Sequence, residues 1–149
     1  MKTSVLTLAL LLASPVLVAD TDPDKLETVL VRAAREPISM NALGSAATVL
    51  ERKTLAERQV APLAEILRSV PGVAVNRVGV MGSQTQVRVR GGEANHVLVF
   101  IDGIRANDPA QNGEFNMAHL LSYDIESVEV IRGPQSALWG SDALSGVIN

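Results

Sequence analysis

Apolar positions change their spacing several times along these 149 residues, and each change marks an element. A first run, Val5 to Ala13, follows the basic Lys2 and precedes a small residue, Ala19, before Asp20. This is the layout of a secretory signal peptide over residues 1–19, and the run is too short to span a bilayer comfortably. From residue 20 to 44 the chain is polar and carries Pro23 and Pro37, so it reads as a flexible segment. Inside it sits a short β-favouring run, Thr28 to Val31. That run is either a first edge strand of the following domain or a peptide that adds to another protein's sheet edge.

A domain over residues 45–149 follows. "AATVLE" reads as a strand and "RKTLAERQ" as one or two helical turns. After Pro62, which suits a helix start, Leu63, Ile66, Leu67 and Val70 fall on one helical face until Pro71-Gly72 stops it. "VAVNRV" predicts a strand and "GVMGSQTQ" a loop. "VRVRGG" alternates Val87 and Val89 against Arg88 and Arg90. "HVLVFIDG" is continuously apolar from Val97 to Ile101, which predicts a central strand covered on both faces. "IRANDPAQNGEF" reads as an exposed loop, "NMAHLLSYDIES" as a short helix and turn, and "VEVIRGP" as the last full strand. A further apolar segment begins at Gly146. The mixed order of strands and helices predicts an α+β domain with a small mixed sheet.

Charge and chemistry narrow the function. The formal net charge is −3, without a basic stripe, so nucleic acid is not an expected partner. There is no cysteine, and the two histidines, His96 and His119, belong to no metal-binding motif. No nucleophile elbow and no phosphate-binding loop occurs. Asp102 reads as a turn residue with Gly103, and Trp139 as a packing residue. An enzyme, a metal and a cofactor are all unexpected.

"LRSVPGV", "VRVRGGEANHVLVFIDGIR" and "IESVEVIRGPQSALWGSDALSGVIN" resemble the plug domain of TonB-dependent outer-membrane receptors. "ETVLVRA" resembles that family's TonB box. The likeness runs from Leu26 to Asn149 and is nearest to the cobalamin receptors, with siderophore receptors similar. It implies a four-stranded mixed sheet with short flanking helices and long loops, lodged in a β-barrel. No barrel strands are expected in this chain, which therefore reads as a plug that ends before its barrel.

Several residue roles follow from the resemblance alone. Glu27, Thr28, Val29, Leu30 and Val31 occupy the TonB box, which in the family pairs with the C-terminal domain of TonB. Residues 32–44 form the tether. The loops 78–86, 92–95 and 107–114 match ligand-facing loops, and Gln84, Gln86, Glu93, Gln111 and Asn112 stand at ligand-contact positions, more polar than the cobalamin receptors' own. Arg90 and Arg132 match arginines that face acidic barrel residues, whereas Arg88 reads as a solvated strand end. The implied activity is gating of an outer-membrane transporter for cobalamin or a ferric siderophore. A free-standing periplasmic decoy for TonB or ligand, or a non-functional fragment, is the alternative.

Overall fold

The computed structural model describes residues 43–149, together with the backbone of residues 30–31 and 38–39. The signal peptide, box residues Glu27 to Val29 and most of the tether lie outside the described residues. Within the leader, β1 (Leu30–Val31) pairs antiparallel with β2 (Ile38–Ser39).

The sequence "AATVLE" forms β3 (Ala46–Glu51), which passes directly into α1 (Arg52–Glu57). The apolar helical face lies on α2 (Leu63–Leu67). Pro62 precedes this helix, and the first helical N–H, that of Leu63, donates to the Leu120 carbonyl at 3.0 Å. The helix is shorter than its apolar spacing suggests. Ser69 and Val70 continue it as turns, donating to Ile66 and Leu67, and Val70 remains buried. Pro71, whose residue has no N–H, and Gly72, at a φ of 76°, end the segment.

β4 (Val73–Arg77) and β5 (Thr85–Val89) form an antiparallel hairpin of their own, with Val75, Val87 and Val89 turned inward. β6 (Val97–Ile101) turns through Asp102-Gly103 into β7 (Ile104–Arg105). Both turn residues have positive φ, 51° and 78°. A tight two-residue hairpin with primed turn geometry needs that conformation, and Asp-Gly supplies it. β8 (Ser127–Arg132) is followed by α3 (Ser136–Trp139) and then β9 (Gly146–Ile148).

The main sheet has the order β3-β8-β9-β6-β7. Only the β6–β9 pair is parallel, so the sheet is mixed. Four strands were expected; the sheet has five, the two-residue β7 lying at the edge beside β6. β9 inserts between β8 and β6 with all three of its residues buried. One sheet face packs on Leu55, Leu63, Ile66, Leu67, Val70 and Met117, and this layer includes Val97, Val99, Val128 and Val130. The other face holds Leu98, Ile131, Ala143 and Val147, with Phe100 and Trp139 tilted at a centroid distance of 4.6 Å. Each large aliphatic buried in this way stabilises by about 1.5–3 kcal/mol. Among the described residues no helix is long and apolar enough to cross a membrane.

Candidate functional site

Two loops build one open pocket. The first is the end of the β4–β5 hairpin. Val78 N–H donates to the Gln84 carbonyl at 3.0 Å, and Ser83 N–H to the Val80 carbonyl at 3.0 Å, which closes the turn. Gln84 and Gln86 are two apart on an extended backbone and so share a face. Between them Thr85 is fully buried. Its N–H donates to Asn116 Oδ1 at 3.0 Å, and its hydroxyl donates to the Ser83 carbonyl at 2.9 Å.

The second wall is the loop after β7. Asn107, 7% exposed, fixes its root: Oδ1 accepts from Val99 N–H at 2.7 Å, and Nδ2 donates to the carbonyls of Val97 and Gly113 at 3.0 and 2.8 Å. Asp108 caps the short 3-10 turn Pro109–Gln111, accepting from Ala110 N–H at 2.9 Å and from Gln111 Nε2 at 2.9 Å. Asn112 takes a left-handed φ of 57°, a conformation asparagine tolerates. Asp108 N–H then donates to the Glu114 carbonyl at 2.9 Å. Across the gap, Gln86 Nε2 donates to Glu114 Oε2 at 2.6 Å.

The resulting pocket of about 600 Å³ is lined by Gln84, Gln86, Ala110, Gln111, Asn112, Glu114 and Asn116. Five of these side chains are amides, each able to donate and accept, and no lysine or arginine lines the wall. Gln84, Gln86, Gln111 and Asn112 are thus brought together. Glu93 is not among them; it forms an ion pair with Arg88 at 3.2 Å. That pairing also gives Arg88 a partner where a solvated strand end was expected. Glu114 and Asn116 complete the wall. Glu114 lay within the expected loop, whereas Asn116 lay beyond it, and its "FNMA" context signals only a turn cap.

The two arginines singled out by sequence meet beside Gly72. A Cβ placed on Gly72 would lie 3.8 Å from Arg90 Cγ and 3.9 Å from Arg132 Cδ. Arg132 donates to the Pro71 carbonyl at 2.8 Å, the Ala47 carbonyl at 3.2 Å and Thr48 Oγ1 at 2.9 Å. Arg90 is exposed and lies over Gly133, where a Cβ would come within 2.9 Å of Nη1. Neither arginine forms an ion pair with a carboxylate among the described residues. Of the box, Leu30 and Val31 are described as backbone, paired with Ser39 and Ile38. No group of three or more His, Asp or Glu residues suited to a metal occurs among the described residues.

Comparison with known proteins agrees with this architecture. The TonB-dependent Receptor Plug Domain family matches residues 39–147. The chain is 40% identical over 123 residues to the vitamin B12 transporter BtuB of Vibrio vulnificus, covering 83% of this chain and 20% of that protein. It therefore spans about a fifth of the length of that curated relative. Among solved structures it resembles the siderophore receptor PirA of Acinetobacter baumannii, with a TM-score of 0.57 and 28% identity, over 74% of this chain and 17% of that one. The ferric yersiniabactin uptake receptor FyuA of Yersinia pestis is similar at a TM-score of 0.54 and 26% identity, over 72% and 17%. These relatives are transporters and receptors, not enzymes. With the mixed sheet, the two-loop pocket and a family match over most of its length, the chain belongs to the plug-domain family of TonB-dependent receptors.

Proposed function

We infer that this chain is the plug and TonB-coupling portion of an outer-membrane active transporter, with a corrinoid of the cobalamin class as ligand. The observation that carries the reading is the pocket in which Gln84, Gln86, Gln111 and Asn112 converge from two loops. A corrinoid is rimmed by carboxamides, and an amide-lined wall offers it paired donors and acceptors. A ferric catecholate siderophore is anionic and calls for arginine or lysine, which this wall lacks. The identity to a vitamin B12 transporter supports the same choice.

In this reading Glu27 to Val31 form the TonB box, and ligand on the apical loops shifts the plug towards a state that TonB captures. Such a shift requires contacts that differ between the two states. Arg90, exposed and without an ion pair among the described residues, is the arginine positioned to meet a barrel carboxylate. Arg132 is engaged within the plug.

The test is titration of the chain with cyanocobalamin and, separately, with a gallium-loaded catecholate siderophore, followed through side-chain amide resonances. Shifts at Gln84, Gln86, Gln111 and Asn112 with the corrinoid alone are expected. Shifts with the siderophore alone would assign the pocket to that class instead. For the coupling role, Val29→Pro should abolish capture by the TonB C-terminal domain, and equal capture of both chains would remove the box from the mechanism.

A further inference from the structure

Two carboxylates and two backbone N–H groups decide which end of each pocket amide is left for a ligand. A carboxylate accepts hydrogen bonds and does not donate them, so the end of a glutamine it binds is the NH2 end. Glu114 Oε2 accepts from Gln86 Nε2 at 2.6 Å, and Asp108 Oδ2 accepts from Gln111 Nε2 at 2.9 Å. Among the described residues the Oε1 atoms of Gln86 and Gln111 accept no hydrogen bond. Asn116 is set the other way round. Its Oδ1 accepts from Thr85 N–H at 3.0 Å and from Ala118 N–H at 3.1 Å, and its Nδ2 donates to no group among the described residues. Gln86, Gln111 and Asn116 all line the pocket, and among the lining side chains the charge belongs to Glu114.

Resting on the reading of this pocket as a corrinoid site, we propose that its wall reads the amidation of the ligand, accepting a rim of primary carboxamides and rejecting the same rim bearing a carboxylate. The carbonyls of Gln86 and Gln111 take N–H groups of the rim, and Asn116 Nδ2 donates to a rim oxygen. A carboxylate in that place has no N–H to give, so the two glutamine carbonyls lose their partners. A site built to hydrogen-bond an N–H discriminates strongly against an analogue that lacks it, because the site's own polar groups are then left unpaired. The carboxylate also brings a second negative charge beside Glu114, and like charge is a repulsive element against the wrong ligand. Glu114 is thereby the specificity-determining residue. It supplies the repelling charge, and by binding the nitrogen of Gln86 it leaves the oxygen for the ligand.

The test measures, at neutral pH, the Kd of the whole chain for cyanocobalamin and for each of its monocarboxylate derivatives, in which one rim carboxamide is hydrolysed. The derivative whose carboxylate enters the pocket should bind at least roughly tenfold more weakly than cyanocobalamin. Glu114→Gln keeps the size of the side chain, removes its charge and frees Gln86 to turn over, so the gap for that derivative should shrink. Equal affinity of the wild type for cyanocobalamin and for every derivative would overturn the proposal and leave the corrinoid reading standing. A gap that Glu114→Gln leaves unchanged, or an equal loss of both ligands in that variant, would reduce Glu114 to a structural tie. Binding of no corrinoid by the wild type would instead overturn the corrinoid reading, and this inference with it.

Discussion

The side-chain amide of Gln86 donates to the Glu114 carboxylate at 2.6 Å, tying the β4–β5 hairpin to the loop that follows β7. The two residues are 28 apart in sequence, so this bond, with that from Thr85 N–H to Asn116, sets the width of the pocket between the two loops. Glu114→Ala should cost about 1 kcal/mol, since the pair is only partly buried and water can replace one partner. The check is the Gln86 side-chain resonance, which should move to the position of a free amide. The Gln111 resonance should stay, because Asp108 holds that side chain independently.

Asn107 supplies three hydrogen bonds from a buried position, two to β6 and one to Gly113. Asn107→Ala leaves the Val99 N–H and two carbonyls without their partner. Each buried group left unsatisfied costs about 1–3 kcal/mol. A loss of about 3 kcal/mol in the urea unfolding free energy is expected, with faster amide exchange at Val99 as the local signature. Asn107→Asp, which keeps an acceptor for Val99 but loses the donor, should disturb Val99 less than Gly113.

Arg132, on β8, holds two other segments, through the Pro71 carbonyl and through the Ala47 carbonyl and Thr48 hydroxyl of β3. A lysine cannot reproduce a planar fork of donors. Arg132→Lys should therefore destabilise the isolated chain by about 1–2 kcal/mol. Arg90→Lys, at an exposed position, should change it by less than about 0.5 kcal/mol. The comparison of unfolding midpoints separates a cation that organises the plug from one free to meet another chain. Equal effects would contradict that division.

Gly146 has no room for a side chain. A Cβ there would lie 2.5 Å from the Ile131 carbonyl oxygen and 3.2 Å from Val89 Cγ1. The obstruction is backbone within a ladder and cannot swing aside. Gly146→Ala should cost about 1–3 kcal/mol as an overpacked site. Gly44→Ala, with nothing within 4 Å of the added carbon, should stay within about 0.5 kcal/mol of the parent.

Local pattern carried much of the fold. Leu63, Ile66, Leu67 and Val70 are all buried, as one helical face requires; of the run Val97 to Ile101, expected to be covered on both faces, Val97 to Val99 are buried, whereas Phe100 is half-buried and Ile101, at the hairpin end, is exposed. Asp102-Gly103 announced its turn because few residue pairs accept two positive φ values. The pocket was legible only through resemblance. Nothing local in "QTQ" or "AQNG" shows that they face each other, because the joining bonds, Gln86 to Glu114 and Thr85 to Asn116, cross 28 and 31 residues. Glu93 went elsewhere for a similar reason. Its ion-pair partner, Arg88, becomes a neighbour only after the chain reverses beyond β5. The place of β9 was hidden by its length, since three apolar residues fit an edge as well as a centre until Gly146 is set beneath Ile131.

The seat of β9 also fixes a timetable. β8 and β6 do not pair with each other; the short strand between them, the last of the described strands to leave a ribosome, is the keystone of both halves. Until it is synthesised, β3 with β8 and β6 with β7 are two unjoined arches, and long-range pairing of this kind forms slowly. The five-stranded sheet therefore sets as one piece only when β9 has found its seat between β8 and β6.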